Sequence, residues 1–168
     1  MRNLKNEMGR TMLEMLGVLA IMGVIIYGAV AGIGFGVTMY QVNASFNDLE
    51  ELSQGIIDLY SWRSGYPDAS SILTAVEKND IVDAEVGGAG ISGRFGSSII
   101  RIVVDDSGAN AKNPDFLLVY SGIPELACSR LKNLSYANMS VVETGGSIYG
   151  QSPTDCDGDS SVLVLRSR

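Results

Sequence analysis

From Met15 to Tyr40 the chain carries no charged residue, a run of 26 positions. A bilayer core needs about 20 helical residues. In hydrocarbon a lone segment satisfies its backbone N–H and C=O groups only by forming a helix. The run is therefore expected to be a transmembrane helix over about 15–40, apolar on every face. The remainder, from about Gln41 to Arg168, is polar, acidic and rich in glycine and serine. It reads as one soluble head on a membrane stem.

The stem keeps one acid. Glu14 stands at the start of the run, four residues after Arg10. A carboxylate near the middle of a membrane helix costs roughly 2.5–3.5 kcal/mol. Toward the end of the helix it costs less, but it still calls for a cation. Arg2, Lys5 and Arg10 precede the run, and Asp48, Glu50 and Glu51 follow it. Lysine and arginine stay on the cytoplasmic side of a span, which puts the N-terminus inside and the head outside. The run is longer than the apolar core of a secretory signal, and no small-residue cleavage site follows it. A retained anchor is expected. Gly9 lies ahead of the run, where the charged leader meets the apolar stem.

The net charge is −7 and there is no histidine. Acidity argues against a phosphate-binding surface, so no nucleic-acid partner is expected, although Arg130, Lys132, Arg166 and Arg168 would form a local basic patch if they gathered. Without histidine the commonest general base and metal ligand are missing. Nothing in the head supplies a nucleophile, a base and an orienting group together, so neither an enzyme nor a cofactor is expected. Two cysteines, Cys128 and Cys156, both fall in the head. An even count outside the cytoplasm favours a disulfide over two buried thiols. Closing that loop contributes about 3–4 kcal/mol in the chain-entropy account.

Beyond Tyr40 the pattern changes. Phe46, Leu49, Leu52, Ile56 and Tyr60 recur at steps of three and four, with Asp48, Glu50, Glu51 and Asp58 on the other faces. This is one apolar stripe on a helix. A continuous helix over about 11–62 is expected, ended by Gly65 and Pro67. In the head, 70–80 reads as a short helix opened by serine, and 124–134 as a helix with Pro124 in its first turn. Strands are expected at 98–104, 116–120, 139–142 and 161–165, with a hairpin loop at 105–115. The fold class is α+β: a long N-terminal helix packed against a small antiparallel sheet of about four strands.

Three motifs invite a sharper reading. Gly88, Gly90 and Gly93 spell G-x-G-x-x-G, but a β-like run follows where a dinucleotide site needs a helix; a glycine-rich connecting loop over 86–97 is expected. Asp155, Asp157 and Asp159 alternate as in a calcium loop, yet Ser160 and Arg166 stand where glycine and glutamate belong. They remain weak metal candidates beside the plainer reading of a solvated turn. The aromatics of 60–66 suit stacking on a sugar or a base, but packing against the head is favoured.

The stretch "GRTMLE" (9–14), followed by a long uncharged helix, resembles the class III signal of type IV prepilins and pseudopilins. In that family a membrane-embedded prepilin peptidase cuts after the glycine and methylates the new N-terminus, and a glutamate occupies the fifth mature position. The resemblance implies a leader over 1–9, cleavage between Gly9 and Arg10, a helix over 10–62, and a head over 63–168 closed by the disulfide loop 128–156. "SGYPDA", "GRFGSSIIRIVV" and "PELACSRLKNL" further resemble type IVb pilins of the toxin-coregulated, bundle-forming and thin conjugative pili. The chain departs from the family in having Arg10 after the cut, a leader of nine residues, and no proline in the stem.

What the resemblance implies for function is a structural subunit. It would sit in the inner membrane with its head outside, then polymerise through an assembly platform into an extracellular pilus. Glu14 of one subunit would meet the freed amine on Arg10 of the next. Adhesion, aggregation, twitching or conjugation would be properties of that filament. A minor pilin or secretion pseudopilin is the alternative, and a signal-anchored extracytoplasmic binding domain a remote one.

Overall fold

The computed structural model describes residues 4–63, 65–104, 115–143, 151–158 and 161–167, with side chains from Met12 onward. The chain forms two compact units, Met1–Met39 and Tyr40–Arg168. A single helix, α1 (Leu4–Tyr60), contributes to both. It starts earlier than the apolar pattern suggested, because residues 4–10 hold no proline or glycine pair that would stop it.

In the first unit the side chains from Met12 to Val37 are all exposed. No polar face interrupts them apart from Glu14, so this part of α1 has no stripe to bury within its own chain. By length and composition it is the one helix among the described residues able to cross a membrane.

In the second unit the helix turns amphipathic and receives a sheet. Val42, Leu49, Leu52 and Ile56 are buried, with Ser45 and Ser53 between them, while Phe46 and Tyr60 flank the stripe half-buried. Helix α2 (Ala69–Lys78) buries Ile72 and Val76. Its cap is Asp68 and not the expected serine. The Asp68 carboxylate accepts from the Ser71 amide at 3.1 Å, from the Ser71 hydroxyl at 2.8 Å and from the Ser70 hydroxyl. Three acceptor contacts outcompete what one serine oxygen offers.

Among the described residues the sheet has six strands: β1 (Val86–Gly87), β2 (Gly90–Ser92), β3 (Ile99–Val104), β4 (Phe116–Ile123), β5 (Met139–Val141) and β6 (Ser161–Ser167). The spatial order is β1-β2-β3-β4-β6-β5, with every pair antiparallel. Four of these match the strands read from β-branched runs. The other two correct the expectation of a loop over 86–97. Val86 pairs with Ile91 and Gly87 with Gly90, so Gly88 and Ala89 form a two-residue hairpin turn. Gly90 has φ +140°, and a Cβ there would strike the Ile100 carbonyl oxygen of the neighbouring strand. The strand signal was hidden because close backbone approach selects glycine, which by itself disfavours strands.

β4 is longer than expected, reaching Ile123. Its pairing with β6 shifts register between Ser121 and Ile123, where Gly122 adopts φ +75°. As the central strand it is buried on both faces. Phe116, Leu118 and Tyr120 join the main core under α1, while Leu117 and Val119 meet Val142 and Val164 in a second small cluster. Helix α3 (Glu125–Lys132) closes the core with Ala127, Cys128 and Leu131. Pro124 sits at its N-cap with φ −62° and ψ 145°, one position before the expected first turn. The loop expected at 105–115 lies outside the described residues except for Asp115.

Candidate functional site

Glu14 stands exposed on the stem with Met12, Leu13, Met15, Leu16 and Val18 exposed around it. It is the one charged residue between Arg10 and Asp48. The bond from Gly9 to Arg10 falls within the backbone of α1; the side chains of these two positions lie outside the described ones. The stem glycines Gly17, Gly23, Gly28, Gly32, Gly34 and Gly36 have open space where a Cβ would stand. Among the described residues nothing calls for their smallness. Thr38 donates back to the Gly34 carbonyl at 3.1 Å within this segment.

The head is held rigid by a polar clasp. Arg94, in the loop after β2, donates through Nε and an Nη to the two carboxylate oxygens of Asp48 on α1, at 2.6 and 2.9 Å. This bidentate pair is the strong kind of charge-assisted bond. The Asp48 carboxylate raises the Arg94 guanidinium above its already high range, and Asp83 adds to the effect. Beneath the pair lies the fully buried Tyr120. Its hydroxyl accepts from the Arg94 amide at 3.1 Å and from the Ser98 hydroxyl at 3.4 Å, and shares a bond with Ser45 on α1 at 3.2 Å. Gly93 is required here: a Cβ would collide with the Tyr120 ring and the Ser98 hydroxyl. All three glycines of the G-x-G-x-x-G run thus serve the hairpin and the clasp.

Cys128 and Cys156 form the disulfide, spanning 28 positions. It fastens α3 to the segment ahead of β6, where Asp155 and Val162 exchange backbone bonds. The Asp155 carboxylate accepts from the Asp157 amide at 3.0 Å, which occupies it as a turn cap. Asp159 lies outside the described residues. Among the described residues no group of three or more potential metal ligands comes together. Of the four residues that could have made a basic patch, two stand beside acids. Arg166 pairs with Asp115, and Lys132 lies 3.7 Å from Glu143. Arg130 is exposed, and Arg168 falls outside the described residues.

An open cleft of about 520 Å³ is bordered by Gln41, Phe95, Ser97, Pro124 and Glu125. Glu125 is the titratable side chain among its described lining residues, so no acid–base pair converges there. Of the aromatics in 60–66, Tyr60 and Tyr66 pack inward as expected: Tyr66 meets Phe116 edge-on at 4.8 Å and Tyr60 at 6.1 Å. Burial pushes the Tyr66 hydroxyl pKa up, with the Asp115 charge adding to it. Trp62 departs from that expectation and points outward.

The residues missed from the sequence are Asp48, Arg94 and Tyr120. Asp48 read as one of several acids on the polar side of α1. Only the two oppositely charged residues flanking the glycine run and the stripe hinted at a partner, and their separation of 46 positions hid it.

No family model matches the chain, and no curated protein sequence matches it. Among solved structures, the crystal structure of TcpA, a type IV pilin from Vibrio cholerae El Tor biotype, is similar to it at 13% identity and a TM-score of 0.49. The match covers 77% of this chain and 99% of that one.

Proposed function

We propose that the chain is a pilin-like structural subunit, cut by a prepilin peptidase between Gly9 and Arg10 and assembled from the membrane into an extracellular filament. One observation carries this reading: a single carboxylate, Glu14, on the 12–37 stretch of α1, which is otherwise uncharged and exposed on all faces. Cleavage frees an α-amino group at Arg10, five positions from Glu14 counting both ends. A carboxylate held in an apolar bundle is strongly penalised unless a cation meets it. Stacking the stems so that Glu14 of one subunit faces the new amine of its neighbour removes that penalty. It also fixes the axial stagger, as one buried polar residue fixes register in a coiled coil. The exposed apolar stem is covered in lipid before assembly and by other stems afterwards. The disulfide and the clasp keep the head folded outside the cell.

The partners in this reading are other copies of the chain, the peptidase, an assembly platform in the inner membrane, and the bilayer itself. The test is the N-terminal mass of protein sheared from the cell surface. It should begin at Arg10 with a methyl group, and filaments rich in the chain should accompany it. Exported protein that retains Met1–Gly9, or that occurs only as dispersed single molecules, overturns the proposal. Filaments containing the chain as a rare component would assign it to a tip or secretion pseudopilus instead.

A further inference from the structure

At the end of α1 the chain displays its only tryptophan. Trp62 is 74% exposed, yet it is not loose. Its indole N–H donates to the Leu59 carbonyl at 2.9 Å. The Arg63 guanidinium carbon lies 4.6 Å from the Trp62 ring centre and 5.6 Å from that of Tyr60. The Arg63 amide bonds to the Tyr60 carbonyl at 2.9 Å, which fixes the backbone as well. Among the described residues Arg63 makes no ion pair. A hydrogen-bonded aromatic surface, stacked with a guanidinium that makes no ion pair among the described residues, is thus presented to solvent on an acidic protein. Such Trp–Arg pairs lose little conformational entropy when covered, and these two residue types dominate the energetics of protein interfaces.

The same head carries a matching surface. Glu77, Asp80, Asp83 and Glu85 are all exposed within nine positions, accompanied by Lys78. A positive aromatic anchor and a negative segment on one chain are complementary between two copies. Because the two patches differ, such a contact is heterologous, and a heterologous contact closes into a ring when its rotation closes and runs on as a helical filament when it does not.

We infer that Trp62 and Arg63 anchor a head-to-head contact between successive subunits, with the acidic segment Glu77–Glu85 of the neighbouring copy as the acceptor. This rests on the filament reading given above, which it extends from the stem to the head. The indole is covered by the neighbouring head, and the guanidinium donates to its carboxylates. The indole N–H stays on Leu59 and takes no part.

Since Trp62 is the only tryptophan, its fluorescence tests the contact in the full-length protein. In sheared filaments the emission should shift to the blue, and acrylamide quenching should fall several-fold relative to detergent-dispersed subunits. Arg63→Glu should give filaments that dissociate at lower salt and shear and leave Trp62 quenchable. Adding Glu77→Lys and Glu85→Lys to Arg63→Glu should restore both stability and protection. Asp80 is left unchanged because its φ of +52° suits few other residues. Filaments in which Trp62 is quenched as freely as in single subunits overturn the inference and leave the filament proposal standing. So do Arg63→Glu filaments of normal stability that only lose binding to a saccharide or another cell. Absence of filaments from the unmodified chain overturns both.

Discussion

Arg94 holds Asp48 through two parallel hydrogen bonds, and so joins the loop between β2 and β3 to the helix that bears the stem, across 46 positions of sequence. The Asp48 side chain is 13% exposed against 40% for Arg94. Removing the carboxylate strands a cation that still reaches water, while removing the guanidinium strands a nearly buried anion. Arg94→Ala is therefore expected to cost more than Asp48→Ala, about 2 against about 1 kcal/mol. Denaturant unfolding of the detergent-solubilised chain checks the order.

Tyr120→Phe keeps the buried ring and deletes the hydroxyl. The Arg94 amide and the Ser98 and Ser45 hydroxyls then lose their shared partner. A loss of about 1–2 kcal/mol is expected. Combined with Arg94→Ala, the two losses should be less than additive, because both variants dismantle one network. A double-mutant cycle in the same unfolding assay measures that coupling.

Breaking the disulfide by Cys128→Ser with Cys156→Ser opens a loop of about 28 residues and should cost about 3–4 kcal/mol. The buried position of Cys128 against the core makes a hydroxyl there an added burden. The expected result is a large fall in surface-exported protein together with protease sensitivity of the 128–156 region, read by limited digestion of intact cells.

Asp68 caps α2 as an ionised carboxylate, and its hydrogen bonds to Ser70 and Ser71 lower its pKa from 3.8 to about 2. The folded value lies below the unfolded one, so the cap's contribution is fully present above about pH 4. It is lost as the pH falls through about 2. Asp68→Asn, which cannot be protonated in this range, should remove that acid-dependent component while retaining most of the cap. Following the Asp68 carboxyl carbon by NMR between pH 5 and pH 1.5, alongside unfolding of both proteins, tests the window.

Glu14→Val should leave the folded head and its disulfide intact and still insert, since it removes a charge from the stem. Filament yield should fall by about tenfold or more, as expected when each contact loses about 1.4 kcal/mol or more. Filament recovery from the medium, set against total membrane-bound protein, separates an assembly defect from an export defect. Normal filaments would remove Glu14 from any role in setting register.

What could be read from the sequence was whatever repeats locally. The uncharged run from Met15 to Tyr40 pointed to a helix, because a segment placed in lipid has no other partner for its backbone hydrogen bonds. Leu49, Leu52 and Ile56 marked the face that receives the sheet, because a helix returns to the same side every three to four residues. Four strands stood out by their β-branched content, and two cysteines left one pairing. Tertiary structure decided the rest. Gly88, Gly90 and Gly93 looked like a loop and proved to be a hairpin turn, a close strand approach and the floor beneath Tyr120. Asp48 looked like any surface acid until Arg94 reached it. Trp62 looked like core and turned outward, where its indole N–H and Arg63 hold it. Each of these depends on a neighbour's position in space or on a backbone angle, and neither leaves a period in the chain. A residue's tendency is a local property; its partner is chosen by the packing of the whole domain.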